Sequence, residues 1–232
     1  MARTAEISRK TRETSVAIKL NLDGSGMAKL EYPIGFMVHM LNTFARHGLF
    51  DLEIKASGDL EVDQHHLVED TGIVLGQCFA KALGDKKGIR RNGSCLFPMD
   101  ETLARAALDL SGRPCLVFEA GLSGIPLTSA APEPPRTPLP AGSPGQAASA
   151  VSVFQTDTVE DFWQGFVNSA GLALHLDVLR GRSDHHKIEA IFKAAARALR
   201  AACEFDERAR DVVPSTKGSL DVPGFGGPGV IV

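Results

Sequence analysis

The fold of this chain is organised around a short motif that occurs twice, as DHHKIE at positions 184–189 and as DQHHLVE at positions 63–69. Each copy has the form His-His-x-x-Glu and opens an apolar run with helical spacing. On a helix, residues three and four apart lie on one side, so the imidazoles and the carboxylate project together. Adjacent residues are about 100° apart around the axis, so one histidine pair can serve two different metal ions. The repeat therefore predicts a duplicated metal site.

A lone motif of this kind would be interpreted as a solvated helix face, but two copies in matching contexts favour metal binding. The spacing differs from the zinc-protease motif H-E-x-x-H, in which the glutamate lies between the histidines. No thiolate is spaced to join the site, because the cysteines occur singly, at Cys78, Cys95, Cys115 and Cys203. Imidazole and carboxylate without sulfur suit six-coordinate Mn²⁺ or Fe²⁺ at least as well as tetrahedral Zn²⁺, so the residues alone leave that choice open.

The composition argues against several classes of partner. The chain has 232 residues and a formal net charge of −3 with mixed signs, which predicts no nucleic-acid partner and no anionic-membrane surface. Its apolar runs are far shorter than the ~20 residues that cross a bilayer. The N-terminal residues are polar and lack the apolar core of a signal peptide, and the scattered cysteines are typical of a reducing compartment. We therefore expect a cytoplasmic protein.

Hydrophobic periodicity shows the same order of elements in both parts of the chain. The first part has an alternating strand at 15–22, a helical pattern at 35–47, an alternating strand at 51–56 and then the first motif. The second part has strands at 101–109 and 115–119, a helix at 156–169, a strand at 172–179 and the second motif. This order predicts an internally duplicated α+β fold. Its two pseudo-equivalent halves, 1–88 and 89–220, would each have a small mixed sheet and two helices.

The stretch 121–150 stands outside this repeat. It holds seven of the 13 prolines, many small residues, and only Glu133 and Arg136 as charged groups. Such a segment cannot bury enough apolar surface to offset its ordering entropy, which predicts a flexible surface insertion between a strand and a helix. The alternative is a polyproline segment that binds a partner. Residues 221–232 are rich in glycine and proline and are predicted to form a loose tail.

Several short segments together resemble the imidazoleglycerol-phosphate dehydratases of histidine biosynthesis. They are GF at 35–36, HML at 39–41, ARHGLF at 45–50, D at 63, HH at 65–66, ED at 69–70, GIRR at 88–91, GS at 93–94, PMDE at 98–101, DLSGRP at 109–114, LH at 174–175, HH at 185–186, EA at 189–190 and PSTKG at 214–218. The resemblance extends from about residue 9 to residue 220, except for the stretch 121–150. It implies that the helices pack between the two sheets.

The resemblance also implies a reaction, a cofactor and an assembly. The family converts D-erythro-imidazoleglycerol phosphate to imidazole acetol phosphate and water with two Mn²⁺ ions per subunit. The ions are shared between subunits in a closed shell of roughly 24 chains. The implied metal ligands are His39, His65, His66, Glu69, His175, His185, His186 and Glu189.

Carried over by position, Glu13 matches the family's acid/base carboxylate, and His47 is the reserve candidate. Substrate binding would involve Glu13 together with four phosphate-binding groups, namely Arg91, Arg113, Ser215 and Lys217, whose donors suit a phosphate dianion. From their spacing alone, Glu13 and these cations would be interpreted as solvated surface groups.

Five positions depart from the residues usual in the family: Val38, Asn42, Thr43, Gln64 and Leu67. They predict altered support around His39 and the first motif, because neighbouring groups orient metal-binding histidines. Two alternative functions therefore stay open. One is a related di-metal lyase acting on another azole phosphate, and the other is a metal-binding paralogue without catalysis, against which the retained Glu13 argues.

Overall fold

The first half of the protein is a four-stranded sheet with two helices. The computed structural model describes residues 3–128 and 153–220. The elements of this half are β1 (Thr4–Lys10), β2 (Thr14–Asn21), β3 (Ala28–Glu31), α1 (Gly35–Gly48), β4 (Asp51–Gly58) and α2 (His65–Leu83). The strand order is β1-β2-β4-β3, in which β3 runs parallel to β4 and the other pairs are antiparallel.

The second half repeats this topology. Its elements are β5 (Asn92–Met99), β6 (Thr102–Asp109), β7 (Cys115–Glu119), the short pair β8 (Leu127–Thr128) and β9 (Val153–Phe154), α3 (Thr158–Ala170), β10 (Ala173–Arg180) and α4 (Asp184–Cys203). The strand order is β5-β6-β10-β7, and β7 runs parallel to β10. The duplicated α+β fold is therefore confirmed. The tail 221–232 and most of the stretch 121–150 lie outside the described residues.

The helices form a layer between the two sheets, as expected. Helix α2 packs on β1 and β2, while α4 packs on β5 and β6. The buried faces follow from strand alternation: Val16, Ile18 and Leu20 on β2 are all nearly inaccessible to solvent. Each half also completes the other, because α1 packs against α4 and α2 against α3. The two halves therefore share one hydrophobic core.

The approach of α2 to α3 depends on two glycines. A Cβ atom on Gly72 would lie 2.1 Å from the carbonyl oxygen of Phe162, and one on Gly76 would lie 2.4 Å from that of Phe166. No larger residue fits without separating the helices. This contact of backbone with backbone brings the N-terminal turn of α3, from the second half, beside the first histidine motif.

The described cysteines are free thiols. Cys78 and Cys203 lie in the core, where burial raises the pKa of each thiol to about 12. They therefore act as small apolar residues, in agreement with the absence of thiolates from the predicted metal site. Within residues 3–128 and 153–220, no helix combines the length and apolarity needed to cross a membrane.

Candidate metal centre and active site

Both histidine motifs occupy the first turns of helices. Helix α2 starts at His65, and α4 starts at Asp184, immediately before the second histidine pair. The Ser183 hydroxyl caps α4 by accepting a hydrogen bond from the backbone N–H of His186. Helix geometry then places His185 and Glu189 four residues apart on one side, as the motif predicts.

One candidate metal centre forms where α1 of the first half meets α4 of the second. The Oε2 atom of Glu189 lies 3.1 Å from Nε2 of His39 and 3.2 Å from Nε2 of His185. One ligand atom from each of these three residues lies within 4.8 Å of the other two. Two imidazoles and a carboxylate at this separation fit a divalent ion such as Mn²⁺ or Fe²⁺.

The carboxylate of this centre is held ionised by its neighbours. The Glu189 side chain is only 9% exposed, whereas those of His39 and His185 are close to half-exposed. Burial raises the pKa of Glu189, but hydrogen bonds from Lys193 and His39 bring the pKa below its ordinary value. The Lys193 ammonium lies 2.8 Å from Oε1, which leaves Oε2 directed at the histidines.

The second histidine of the first motif faces two carboxylates. Nδ1 of His66 donates to Asp59, with Oδ2 at 3.1 Å, and Oε2 of Glu13 lies 3.9 Å from the same nitrogen. The hydrogen bond to Asp59 raises the pKa of His66 above its ordinary value. Glu13, Asp59 and His66 also lie close enough together to hold an ion, but the nitrogen that faces these carboxylates, Nδ1, donates to Asp59 and leaves Nε2 of His66 as the free donor atom.

The first histidine of that motif lies between carboxylates of two helices. Nδ1 of His65 is 3.0 Å from Oδ2 of Asp161 on α3, and Nε2 is 3.8 Å from Oε2 of Glu69. Asp161 occupies in α3 the place of His39 in α1, since each lies ten residues before a left-handed residue that ends its helix. The surroundings of the two motifs therefore differ: the second motif has the imidazole of His39 beside it, and the first has the carboxylate of Asp161.

A carboxylate also holds the second histidine of the second motif. Nδ1 of His186 donates to Oε2 of Glu101 at 2.9 Å, and Oε1 accepts hydrogen bonds from the backbone N–H groups of Arg182 and Ser183. The bond from His186, followed by these backbone donors, lowers the pKa of Glu101 to about 2. The carboxylate is therefore ionised and fixed in place.

Sequence reasoning missed the roles of Asp59, Glu101 and Asp161. Asp59 and Glu101 lie at turns with no recognisable spacing to the histidines. Asp161 could have been found by aligning the ends of α1 and α3, because both halves repeat the same helix and turn. Glu101 belongs to the quoted PMDE segment, but nothing in that segment indicates its contact with a histidine 85 residues away.

The structure does not bring every predicted site residue together. His175 lies on β10, exposed between buried Leu174 and Leu176, so its side chain points away from the helix layer that carries the other histidines. His47 lies on α1, where its ring is nearly perpendicular to that of Phe97, with the ring centroids 5.3 Å apart. Partial burial, and then the cations Lys193 and Arg197, lower the pKa of His47. Glu189 acts in the opposite direction on this pKa, and Lys193 also pairs with Glu189, so His47 interacts electrostatically with the candidate metal centre.

The chain segments that carry the four predicted phosphate-binding groups lie near one another. Arg91 forms a two-point ion pair with Asp109, at 2.6 and 2.8 Å, and donates to the carbonyl oxygen of Pro214 at 2.7 Å. This contact ties the segment of Ser215 and Lys217 to the start of β5. Arg113 is exposed in the loop after β6, whose Leu110 donates its backbone N–H to Arg91. All four groups lie at the end of the second sheet that is opposite the β5–β6 turn.

Two of the five departures from the family pattern fill the interior near the first motif. Gln64 donates to the carbonyl oxygen of Val153 at 2.5 Å, and its backbone N–H donates to the side chain of Gln155. These bonds connect the start of α2 to β9. Leu67 is buried and packs beside Gly58. Thr43 is also buried, Val38 is half-buried and Asn42 is exposed.

Comparison with known proteins agrees with the resemblance found in the sequence. The family model described as imidazoleglycerol-phosphate dehydratase matches residues 33–130 and 142–199. The imidazoleglycerol-phosphate dehydratase of Paraburkholderia xenovorans (strain LB400) is 50% identical over 218 residues, which are 94% of this chain and cover 100% of that protein. The enzyme of the same name from Acidovorax sp. (strain JS42) is 52% identical, over 94% of this chain and 92% of that protein.

Solved structures with the same fold carry the same family name. Imidazoleglycerol-phosphate dehydratase from Staphylococcus aureus superposes with a TM-score of 0.68 at 35% identity, over 88% of this chain and 99% of that one. The Pyrococcus furiosus structure, solved in complex with (S)-C348, superposes with a TM-score of 0.67 at 28% identity, over 92% of this chain and 100% of that one. Sequence and fold lead to one conclusion: this chain belongs to the imidazoleglycerol-phosphate dehydratase family and is a hydro-lyase.

Proposed function

We propose that the chain converts D-erythro-imidazoleglycerol phosphate to imidazole acetol phosphate in histidine biosynthesis, in the cytoplasm, with two Mn²⁺ ions per subunit. The observation that carries this proposal is the convergence of His39, His185 and Glu189 from two halves of one chain. Free thiols agree with the reducing compartment. In the reaction, the carbon next to the imidazole ring loses its hydroxyl as water, the adjacent carbon loses its proton, and the resulting enol becomes the ketone.

The chain's residues have separate tasks in this proposal. Bound divalent ions would supply Lewis acidity, which stabilises negative charge on the imidazole ring, because the substrate has no carbonyl group to accept that charge. Glu13 holds and moves the proton, and its exposure beside His66 makes it accessible to a small molecule. Arg91, Arg113, Ser215 and Lys217 would orient the phosphate.

Geometry along the second sheet supports a site shared between chains. The turn that holds His186 lies at the end of β5 formed by Met99, while Arg91 precedes the opposite end at Asn92. Eight residues of extended strand span about 23 Å, which is longer than the proposed substrate. One chain therefore cannot offer these two groups to one molecule. We infer that symmetry-related chains complete each site in a homo-oligomer, for which the family pattern predicts roughly 24 subunits.

The function is tested by direct assay and by complementation. Purified, Mn²⁺-loaded protein should form imidazole acetol phosphate from the D-erythro substrate, measured by product formation, and the gene should restore growth of a strain lacking this dehydratase. Turnover of a different azole phosphate alone would indicate a related lyase. Metal binding without turnover of either would indicate a non-catalytic paralogue, and both outcomes contradict the proposal.

Removal of the metal should dissociate the assembly. Ions bound between chains stabilise the assembled state by mass action, so chelation should shift the particle to smaller species and Mn²⁺ should restore both size and activity. Light scattering coupled to size-exclusion chromatography measures this. Calcium added at the same concentration is the control, since an oxygen-preferring ion suits imidazole ligands poorly. An active monomer, or a particle whose size is indifferent to chelation, would contradict the shared-site proposal.

A further inference from the structure

The two halves place an equivalent glutamate before their second strands. Strands β2 and β6 are both eight residues long, and both open on a buried threonine, Thr14 in one and Thr102 in the other. Each follows the turn from the first strand of its sheet. The residue before each threonine is a glutamate, Glu13 in the first half and Glu101 in the second. Glu13 and Glu101 therefore occupy equivalent positions in the two halves of the duplicated fold.

The two glutamates now have different environments. Glu101 lies 2.9 Å from Nδ1 of His186 and accepts two backbone N–H bonds, so both of its oxygens are engaged. Glu13 is 3.9 Å from Nδ1 of His66, beyond hydrogen-bonding distance. Its side chain is 57% exposed, compared with 34% for that of Glu101. Glu101 is thus fixed on its histidine, whereas Glu13 is free to rotate.

Asp59 accounts for this difference. It follows the last residue of β4, and its carboxylate accepts the hydrogen bond from Nδ1 of His66 that Glu13 would otherwise accept. The residue that follows β10 in the second half is Gly181. A Cβ atom there would lie 2.7 Å from Oγ1 of Thr102 and 3.1 Å from Cγ of Lys187. The second half has no space for a counterpart of Asp59 and depends on Glu101.

We propose that Glu101 and Asp59 are positioning residues that hold His186 and His66 through Nδ1, and that Asp59 releases Glu13 from this task. A carboxylate at Nδ1 keeps the proton on that nitrogen and leaves the lone pair of Nε2 for a metal ion. The freed Glu13 is then available as the proton-transfer group. This last part rests on the proposed function, whereas the positioning of the histidines does not.

The Mn²⁺ affinity of variants distinguishes the proposed roles of the equivalent glutamates, Glu13 and Glu101. Glu101→Gln and Asp59→Asn should each raise the Kd for Mn²⁺ about 10–100-fold, measured by competition with a chelator on the assembled protein. Glu13→Gln should change this Kd by less than about twofold. Asp100→Asn is the matched control, because it removes the same charge from the turn of Glu101, and asparagine tolerates the positive φ of that position.

A second variant distinguishes positioning from general damage to the turn. In a His186→Ala background, Glu101→Gln should raise the Kd by less than about twofold further, because the histidine through which it acts is gone. An additional full-size loss there would show that Glu101 supports the fold, and an unchanged Kd for Glu101→Gln in the unmodified protein would overturn the proposal. A wild-type chain that binds Mn²⁺ but has no dehydratase activity would refute the proposed function and leave this test intact.

Discussion

Replacing His185 by alanine is expected to remove at least one divalent ion per chain and to abolish turnover. His185 supplies one of two imidazoles in its centre, and without it Glu189 pairs with Lys193 and His39 only. Lewis acidity contributes several kcal/mol to reactions of this type, so kcat/KM should fall by roughly 10³-fold or more. Elemental analysis of protein purified without chelator measures the metal, and product formation measures turnover.

Two further variants make this result specific. Arg200→Ala, at an exposed position in the last turn of the same helix, should keep both metal content and activity. His39→Ala should match His185→Ala, because His39 reaches the same carboxylate from the other half. His175→Ala tests whether the exposed face of β10 supplies a ligand to a neighbouring chain. Full metal content and activity in both His39→Ala and His185→Ala would contradict the candidate centre.

Replacing Glu13 by glutamine is expected to lower kcat by roughly 10²–10⁴-fold without loss of metal. The amide keeps the size of the side chain but can neither accept nor return the substrate proton at neutral pH. Because Glu13 lies outside hydrogen-bonding distance of His66 and Asp59 holds that ring, the ligand geometry should survive. Steady-state kinetics at saturating Mn²⁺ and elemental analysis of the same sample measure the two effects.

The matched control for this variant is Glu6→Gln, an exposed glutamate on the neighbouring edge strand β1. It removes the same charge from the same sheet and should leave kcat unchanged. A Glu13→Gln effect confined to KM would show that Glu13 positions substrate instead of moving the proton. His47→Ala would then test the reserve candidate for proton transfer. Unlike Glu13, His47 lies beside Phe97 and near the cations Lys193 and Arg197.

The duplication has produced two candidate metal-binding motifs with different surroundings. The second motif meets an imidazole from α1, His39, whereas the first meets the carboxylate of Asp161 from α3. A carboxylate that accepts the Nδ1 proton of His65 orients this ring, while His39 offers Nε2 beside Glu189. The two centres should therefore differ in affinity, even though the motifs that build them are nearly the same in sequence.

Local pattern determined much of this protein. Each of the signals that succeeded lies within a single helix or strand and could therefore be recognised without the structure. They are the alternation along 15–22 and 172–179, the helical spacing along 35–47 and 156–169, and the repeated His-His-x-x-Glu. The alanine-rich segment 101–109, predicted as a strand, is strand β6, whose Ala104 and Ala106 lie buried under α4. Five described strands were missed: the edge strands β1, β3 and β5, and the two-residue strands β8 and β9. The side chains of β1, β3 and β5 are largely exposed, and an edge strand is defined by its pairing more than by its own residues.

Only the tertiary structure decided which carboxylate meets which histidine. Asp59 and Glu101 reach their imidazoles from turns, and Asp161 does so because Gly72 and Gly76 let α3 contact the backbone of α2. Such contacts depend on how helices from different halves cross, and this crossing produces no periodic pattern in the sequence. The sequence alone thus determined the fold class, the repeat and the candidate metal-binding side chains, whereas packing determined their partners and the separation of Glu13 from its histidine.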